Sequence, residues 1–149
     1  ENDIPVILNP APAAELDFEY VKKASIFIPN ETELETITKM PVETMENIKE
    51  AAESLLTQEL EKIIVTMGEK GSLLVSKEMT ELVPAYKVEP KDTTGAGDAF
   101  IGSFATFYAE TDDILEAMKM ANKYAALSTL NTGTQKSFYS REDFEKYFE

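Results

Sequence analysis

The sequence contains neither cysteine nor histidine. Without cysteine there is no disulfide, no thiolate metal site and no thiol nucleophile. Without histidine there is no Ser-His-Asp relay, no imidazole-ligated zinc and no imidazole base. Any proton transfer falls to a carboxylate, a lysine or a tyrosine. No apolar run reaches the roughly 20 residues of a membrane span, and no signal peptide opens the chain, so a cytoplasmic location is expected. The first residues, Glu1-Asn2-Asp3, include no initiator Met, which suggests a processed or truncated start. Positive charge is scarce too: 14 basic residues stand against 28 acidic ones, for a formal net charge of −14. That balance disfavours nucleic acid and anionic membrane as partners, because both are polyanions. A nucleotide stays open, since it needs only a local positive field.

With 43% hydrophobic and 28% charged residues, the 149-residue chain reads as one globular domain over 1–149. Apolar runs at Ile4–Leu8, Ser25–Ile28 and Ile63–Val65 read as buried strands, the first two stopped by Asn9-Pro10 and Pro29-Asn30. Helices are expected over 15–23, from Asn30 to about Thr38, and after Pro41. There Ile48, Ala51, Ala52, Leu55 and Leu56 form one apolar face. Gly68 and Gly71 bracket a turn, after which 72–76 and 80–88 read as a β-hairpin. The remainder reads as helices over 97–109, 113–130 and 140–148, with Asp113 and Glu116 in capping-box spacing and 131–139 as a loop. Strands alternating with helices predict an α/β fold: three layers, α/β/α, around a mainly parallel sheet. A sheet this thin suggests that the first strand is not an edge in an intact fold.

Only six glycines occur, at 68, 71, 95, 97, 102 and 133. The richest segment is Asp92-Thr93-Thr94-Gly95-Ala96-Gly97-Asp98-Ala99-Phe100, where small residues run straight into an apolar helix. Free N–H groups and the helix dipole at such a start favour an anion. Asp98, in the first turn, could accept a proton from an attacking hydroxyl, and a weak base is enough for phosphoryl transfer. It could equally serve only to complement the dipole, with the glycines there for tight packing. The segment lacks the Gly-Lys-Ser/Thr of a Walker A loop, and Phe100 stands where the dinucleotide pattern needs a third glycine.

The Asp92–Phe100 segment resembles the C-terminal signature of the ribokinase-like carbohydrate kinases, the PfkB family. Asn9-Pro10-Ala11-Pro12, Pro29-Asn30-Glu31-Thr32-Glu33, Thr66-Met67-Gly68-Glu69-Lys70-Gly71 and Gly133-Thr134-Gln135-Lys136-Ser137 follow the family's order and approximate spacing. The first and last of these resemble the ribose-phosphorylating members more than the other sugar kinases. The resemblance spans essentially the whole chain but only the C-terminal half of the family's fold. It implies a nucleotide-binding part without the N-terminal lid and sugar-binding segment, and therefore a chain with little or no activity alone.

By that resemblance Asp98 is the base, and the amides of Gly95, Ala96 and Gly97 form the anion hole. Asn30, Glu33, Thr66, Gly68, Gly71 and Asn122 are assigned to the nucleotide, Glu33 also to Mg²⁺ through water. Asp92, Thr94, Ser128, Asn131, Gly133 and Ser137 match a monovalent-cation loop suited to K⁺. Asn9 sits at a strand end, where α/β sheets place ligand contacts. Each has a plainer reading: Asn30 and Glu33 as a capping box, Thr66–Gly71 as a strand–turn–strand, Asn122 as a polar helix-face residue, and 131–137 as a helix connection. The implied reaction is phosphoryl transfer from ATP to a sugar, with D-ribose giving ribose 5-phosphate. Fructose, 2-keto-3-deoxygluconate or a nucleoside are alternative acceptors, and a non-catalytic nucleotide-binding or assembly module is a reading of another class. A homodimer formed through the lid of the parent protein is the implied assembly.

Overall fold

The computed structural model describes residues 4–13 and 16–148. The expectation for Glu1–Asp3, and the part of the expected 15–23 helix at residue 15, lie outside these residues. The chain forms two compact units, one of Glu1–Gly68 with Ser72–Leu82 and the other of Glu69–Gly71 with Val83–Glu149.

The first unit is built on a sheet with strand order β1 (Ile7–Leu8), β2 (Ile26–Phe27), β3 (Lys62–Thr66), β4 (Ser72–Ser76) and β5 (Thr80–Val83). β1, β2 and β3 run parallel and β4 runs antiparallel to β3, so the α/β expectation holds with a mixed sheet. Ile26, Phe27, Ile63, Ile64 and Val65 are almost wholly buried whichever face they point to, as parallel strands require. Among the described residues β1 is an edge of the sheet.

The expected hairpin is real but shorter. The chain turns at Ser76, whose N–H donates to the Met79 carbonyl at 2.9 Å, and strand ends at Val83 rather than residue 88. Pro84 has no N–H for a ladder, and the carbonyl of Val83, where the second unit resumes, accepts from the Asn122 side chain of that same unit.

Three helices belong to the first unit. The span expected at 15–23 is a single turn, α1 (Phe18–Val21), capped by Asp17. α2 (Glu31–Thr38) starts at Asn30 and stops at Lys39, which adopts a left-handed conformation before Pro41. α3 (Met45–Leu56) follows with Thr44 as its cap. The apolar stripe Ile48, Ala51, Ala52 and Leu55 packs with Phe27, Leu34, Ile63, Val65 and Val75 in one cluster.

The second unit is helical. α4 (Ala96–Thr111) and α5 (Ile114–Ser128) pack along one another, and α6 (Arg141–Tyr147) brings Phe144 against Phe107 and Tyr124, with ring centroids 5.6 and 5.5 Å apart. The expected capping box of α5 is only half formed. Asp113 accepts from the N–H groups of Leu115 and Glu116, but its own N–H donates to Thr111 Oγ1, and Glu116 pairs instead with Lys119. Among the described residues no helix is long and apolar enough to cross a membrane.

Candidate functional site

In the first unit, the three parallel strands end side by side in polar residues. Asn9 follows β1, Asn30 follows β2, and Thr66 closes β3. Asn9 Nδ2 donates to the Ile28 carbonyl at 2.8 Å, the Thr66 N–H donates to the Pro29 carbonyl at 3.0 Å, and Asn30 bridges Thr66 in parallel register. The carboxyl ends of parallel strands are where open α/β sheets bind ligands, because helix starts and free loop amides gather there.

Asn30 and Glu33 form the complete capping box of α2. Asn30 Oδ1 accepts from the Glu33 N–H at 2.8 Å, and Glu33 Oε2 accepts from the Asn30 N–H at 2.9 Å. The capping reading of this pair is therefore correct. It does not consume the pair, since Asn30 is exposed and the Asn30 side-chain NH₂ has no partner among the described residues. Gly68, just past β3, takes a left-handed φ of 54° in open space.

In the second unit, a glycine in left-handed conformation, Gly95 at φ 81°, stands as the N-cap of α4. The Ala96 N–H turns back to the Thr93 carbonyl at 3.2 Å. The N–H groups of Gly95, Gly97 and Asp98 have no partner among the described residues. Three donors thus remain at the positive end of a 16-residue helix, and Ala96 is not one of them in this conformation. The Asp98 side chain is exposed and makes no hydrogen bond or ion pair among the described residues, so its carboxylate is free to accept a proton or a hydrogen bond.

The loop before α4 is tied to the loop after α5 by Asp92. Its Oδ1 accepts from the Thr94 N–H at 3.0 Å and its Oδ2 from the Gly133 N–H at 2.9 Å. The Gly133 amide, then the Thr94 hydroxyl and amide, hold the Asp92 carboxyl down at about 2, so it is ionised across the physiological range. The N–H groups of Lys91 and Asp92 both donate to the Thr129 carbonyl, and Thr134 packs over Gly95, 3.2 Å from where a Cβ would stand. Ser128 and Ser137 are buried, with their hydroxyls donating to Ala125 and Thr134 carbonyls, while Asn131 is exposed and donates to the Tyr139 hydroxyl. The cation-loop residues are thus drawn towards the start of α4, with Asp92 as their link.

Two assigned residues have structural work of their own. Asn122 is buried on α5, and its Nδ2 donates to the Val83 and Pro84 carbonyls at 3.0 and 3.3 Å. Gly71, at φ 103°, lies so close to the Val83–Ala85 backbone that a Cβ would fall 2.1 Å from the Val83 oxygen. Sequence reasoning quoted Thr93 and Thr134 within their motifs but gave them no role, and it did not single out Thr129; Thr93, Thr129 and Thr134 are the additions the structure makes. All three accept through backbone carbonyls, which every residue carries, so no side-chain signal could have marked that role. Among the described residues no group of three acidic side chains is placed to hold a metal ion.

Comparison with known proteins gives a consistent picture. The family model described as pfkB family carbohydrate kinase matches residues 1–141. The deoxyribokinase of Salmonella typhi is 51% identical over 148 residues, 99% of this chain and 48% of that protein. The ribokinase of Arabidopsis thaliana, solved with ribose and ATP, superposes with a TM-score of 0.91 at 31% identity, covering 96% of this chain and 47% of that one. An E. coli structure holding ATP and Mg²⁺ superposes with a TM-score of 0.74 at 26% identity, covering 88% of this chain and 41% of that one. The chain spans about half the length of the curated relatives it matches.

Proposed function

Because the chain belongs to the pfkB family of carbohydrate kinases, we propose that it is the nucleotide-handling part of an enzyme that moves a phosphoryl group from ATP to a pentose hydroxyl. The observation that carries this reading is the start of α4, where the Asp98 carboxylate and the amides of Gly95, Gly97 and Asp98 all lack a partner among the described residues. The Asp98 carboxylate takes the proton of the attacking sugar hydroxyl, and the amides stabilise charge on the transferring group. Catalysis of this kind is mostly positioning and electrostatics. The identity to a deoxyribokinase supports 2-deoxy-D-ribose as the acceptor, with D-ribose next.

Asn30, Glu33, Thr66 and Gly68 are the residues we assign to the nucleotide phosphates, with Gly71 and Asn122 supporting the segments around them. Glu33 is the residue that would hold Mg²⁺, which when bound offsets phosphate charge. A single carboxylate suits an ion that keeps most of its waters. The ionised Asp92 and the carbonyls of Thr94, Ser128, Asn131 and Gly133 fit a weakly hydrated cation such as K⁺, and Asp92 already joins the segments that would supply them.

The test is calorimetric titration with Mg-ADP, with and without K⁺, beside a transfer assay on 2-deoxyribose and ribose using the polypeptide as it occurs in the cell. Asp98→Asn should keep nucleotide affinity and lose about 10²–10⁴-fold in transfer. A variant that transfers at the unmodified rate would remove Asp98 as the base. Transfer to neither pentose by the unmodified protein would remove the assigned acceptor.

A further inference from the structure

The second unit holds an open pocket of about 520 Å³, of whose lining only Asn131 and Ser137 are assigned above, to the cation loop. It lies between the 131–139 loop and α6, and Lys136, Phe138, Tyr139, Lys146 and Tyr147 are among the residues lining it. In a chain of net charge −14, its lining carries two lysines and one carboxylate. That carboxylate, Asp143, is engaged by Ser140, whose Oγ donates to it at 2.6 Å. Lys136 has no hydrogen bond or ion pair among the described residues, and Lys146 gives one N–H to Glu142 and keeps two. Phe138 and Tyr147, in the same lining, are 38% and 48% exposed, so both aromatic residues stay in contact with solvent.

We propose that this pocket binds a small anion carrying a planar ring, with the charge on Lys136 and Lys146 and the ring against Phe138 and Tyr147. Lysine supplies charge-assisted hydrogen bonds to phosphate or carboxylate, and flat aromatic faces accept a ring at little entropic cost. The chemistry is that of an aromatic phosphate or carboxylate. The pocket shares Asn131 and Ser137 with the assigned cation loop, and that loop also gives the Gly133 N–H to Asp92 and packs Thr134 on Gly95. Occupancy therefore bears on the segment that holds Asp92.

The test is a ¹⁵N-resolved titration of this chain with phenyl phosphate, with inorganic phosphate and benzyl alcohol in parallel. Phenyl phosphate should give saturable shifts at the Gly133, Lys136, Tyr139 and Tyr147 amides. Each half-ligand should bind about tenfold more weakly or worse, and Lys136→Gln should weaken phenyl phosphate by about tenfold. Tyr147→Ala, a second exposed substitution, should weaken phenyl phosphate while leaving inorganic phosphate unchanged. Three results would each overturn the proposal: no saturation, equal binding of inorganic phosphate, or shifts confined to Gly97 and Asp98. Because the readout contains no nucleotide and no transfer, its failure is distinct from failure of the kinase reading.

Discussion

Asp92 Oδ2 accepts the Gly133 N–H at 2.9 Å across 41 residues of sequence, a side-chain tether between the loop before α4 and the loop after α5 that adds to the backbone bonds from Lys91 and Asp92 to the Thr129 carbonyl. The same carboxylate accepts from Thr94, so both oxygens are engaged by donors that favour the ionised form. Its folded pKa lies below the ordinary aspartate value. The tether is therefore fully present above about pH 4 and is lost as the pH falls through about 2. The carboxyl carbon shift of Asp92 should titrate with a midpoint near 2, and the Gly133 amide should move with it. A midpoint near 4 would mean that the bond is not formed in solution.

Asp98 offers a separation of stability from chemistry. It is exposed and has no partner among the described residues, so Asp98→Asn removes only a favourable charge at a helix start. The expected loss of stability is about 0.3–1 kcal/mol by urea denaturation. A loss of several kcal/mol would show a structural role that the geometry does not contain.

Glu33 separates capping from ligand binding. Glutamine keeps the reciprocal bond to the Asn30 N–H and discards the charge. Glu33→Gln should unfold within about 0.5 kcal/mol of the unmodified chain and bind Mg-nucleotide more weakly than nucleotide without Mg²⁺. Asn30→Ala should lose about 1 kcal/mol, since the cap itself is gone. Equal destabilisation by the two substitutions would contradict this division.

Gly71 and Gly102 should respond in opposite directions to alanine. At Gly71 the added carbon would meet the Val83 oxygen at 2.1 Å and the Ala85 nitrogen at 2.6 Å, on a backbone with φ of 103°. Gly71→Ala should cost about 2–4 kcal/mol. Gly102 lies inside α4 with open space around it, so Gly102→Ala should stabilise by about 0.4–1 kcal/mol. Thermal denaturation of the two variants checks both signs.

Asn122→Ala should also destabilise, by about 1–3 kcal/mol, because the Val83 and Pro84 carbonyls lose their donor. Calorimetric unfolding gives the value. An unchanged stability would leave Asn122 free for a purely ligand-facing role.

Much of this protein was determined by local sequence. Helix positions followed from the 3.6-residue spacing of Ile48, Ala51, Ala52 and Leu55, and from caps at Asn30 and Asp113, because these depend on residues within one turn. The start of α4 was legible because its glycines and Asp98 are contiguous. Tertiary structure alone decided what depends on distant backbone. It shortened the hairpin at Val83, where Asn122 takes a carbonyl 39 residues away, and it brought Gly133 to Asp92 and Thr134 over Gly95. It also turned the Ala96 N–H back to Thr93, leaving the Asp98 amide open in its place. Carbonyls and amides are the same in every residue, so their pairing is written in three dimensions and not in side-chain identity.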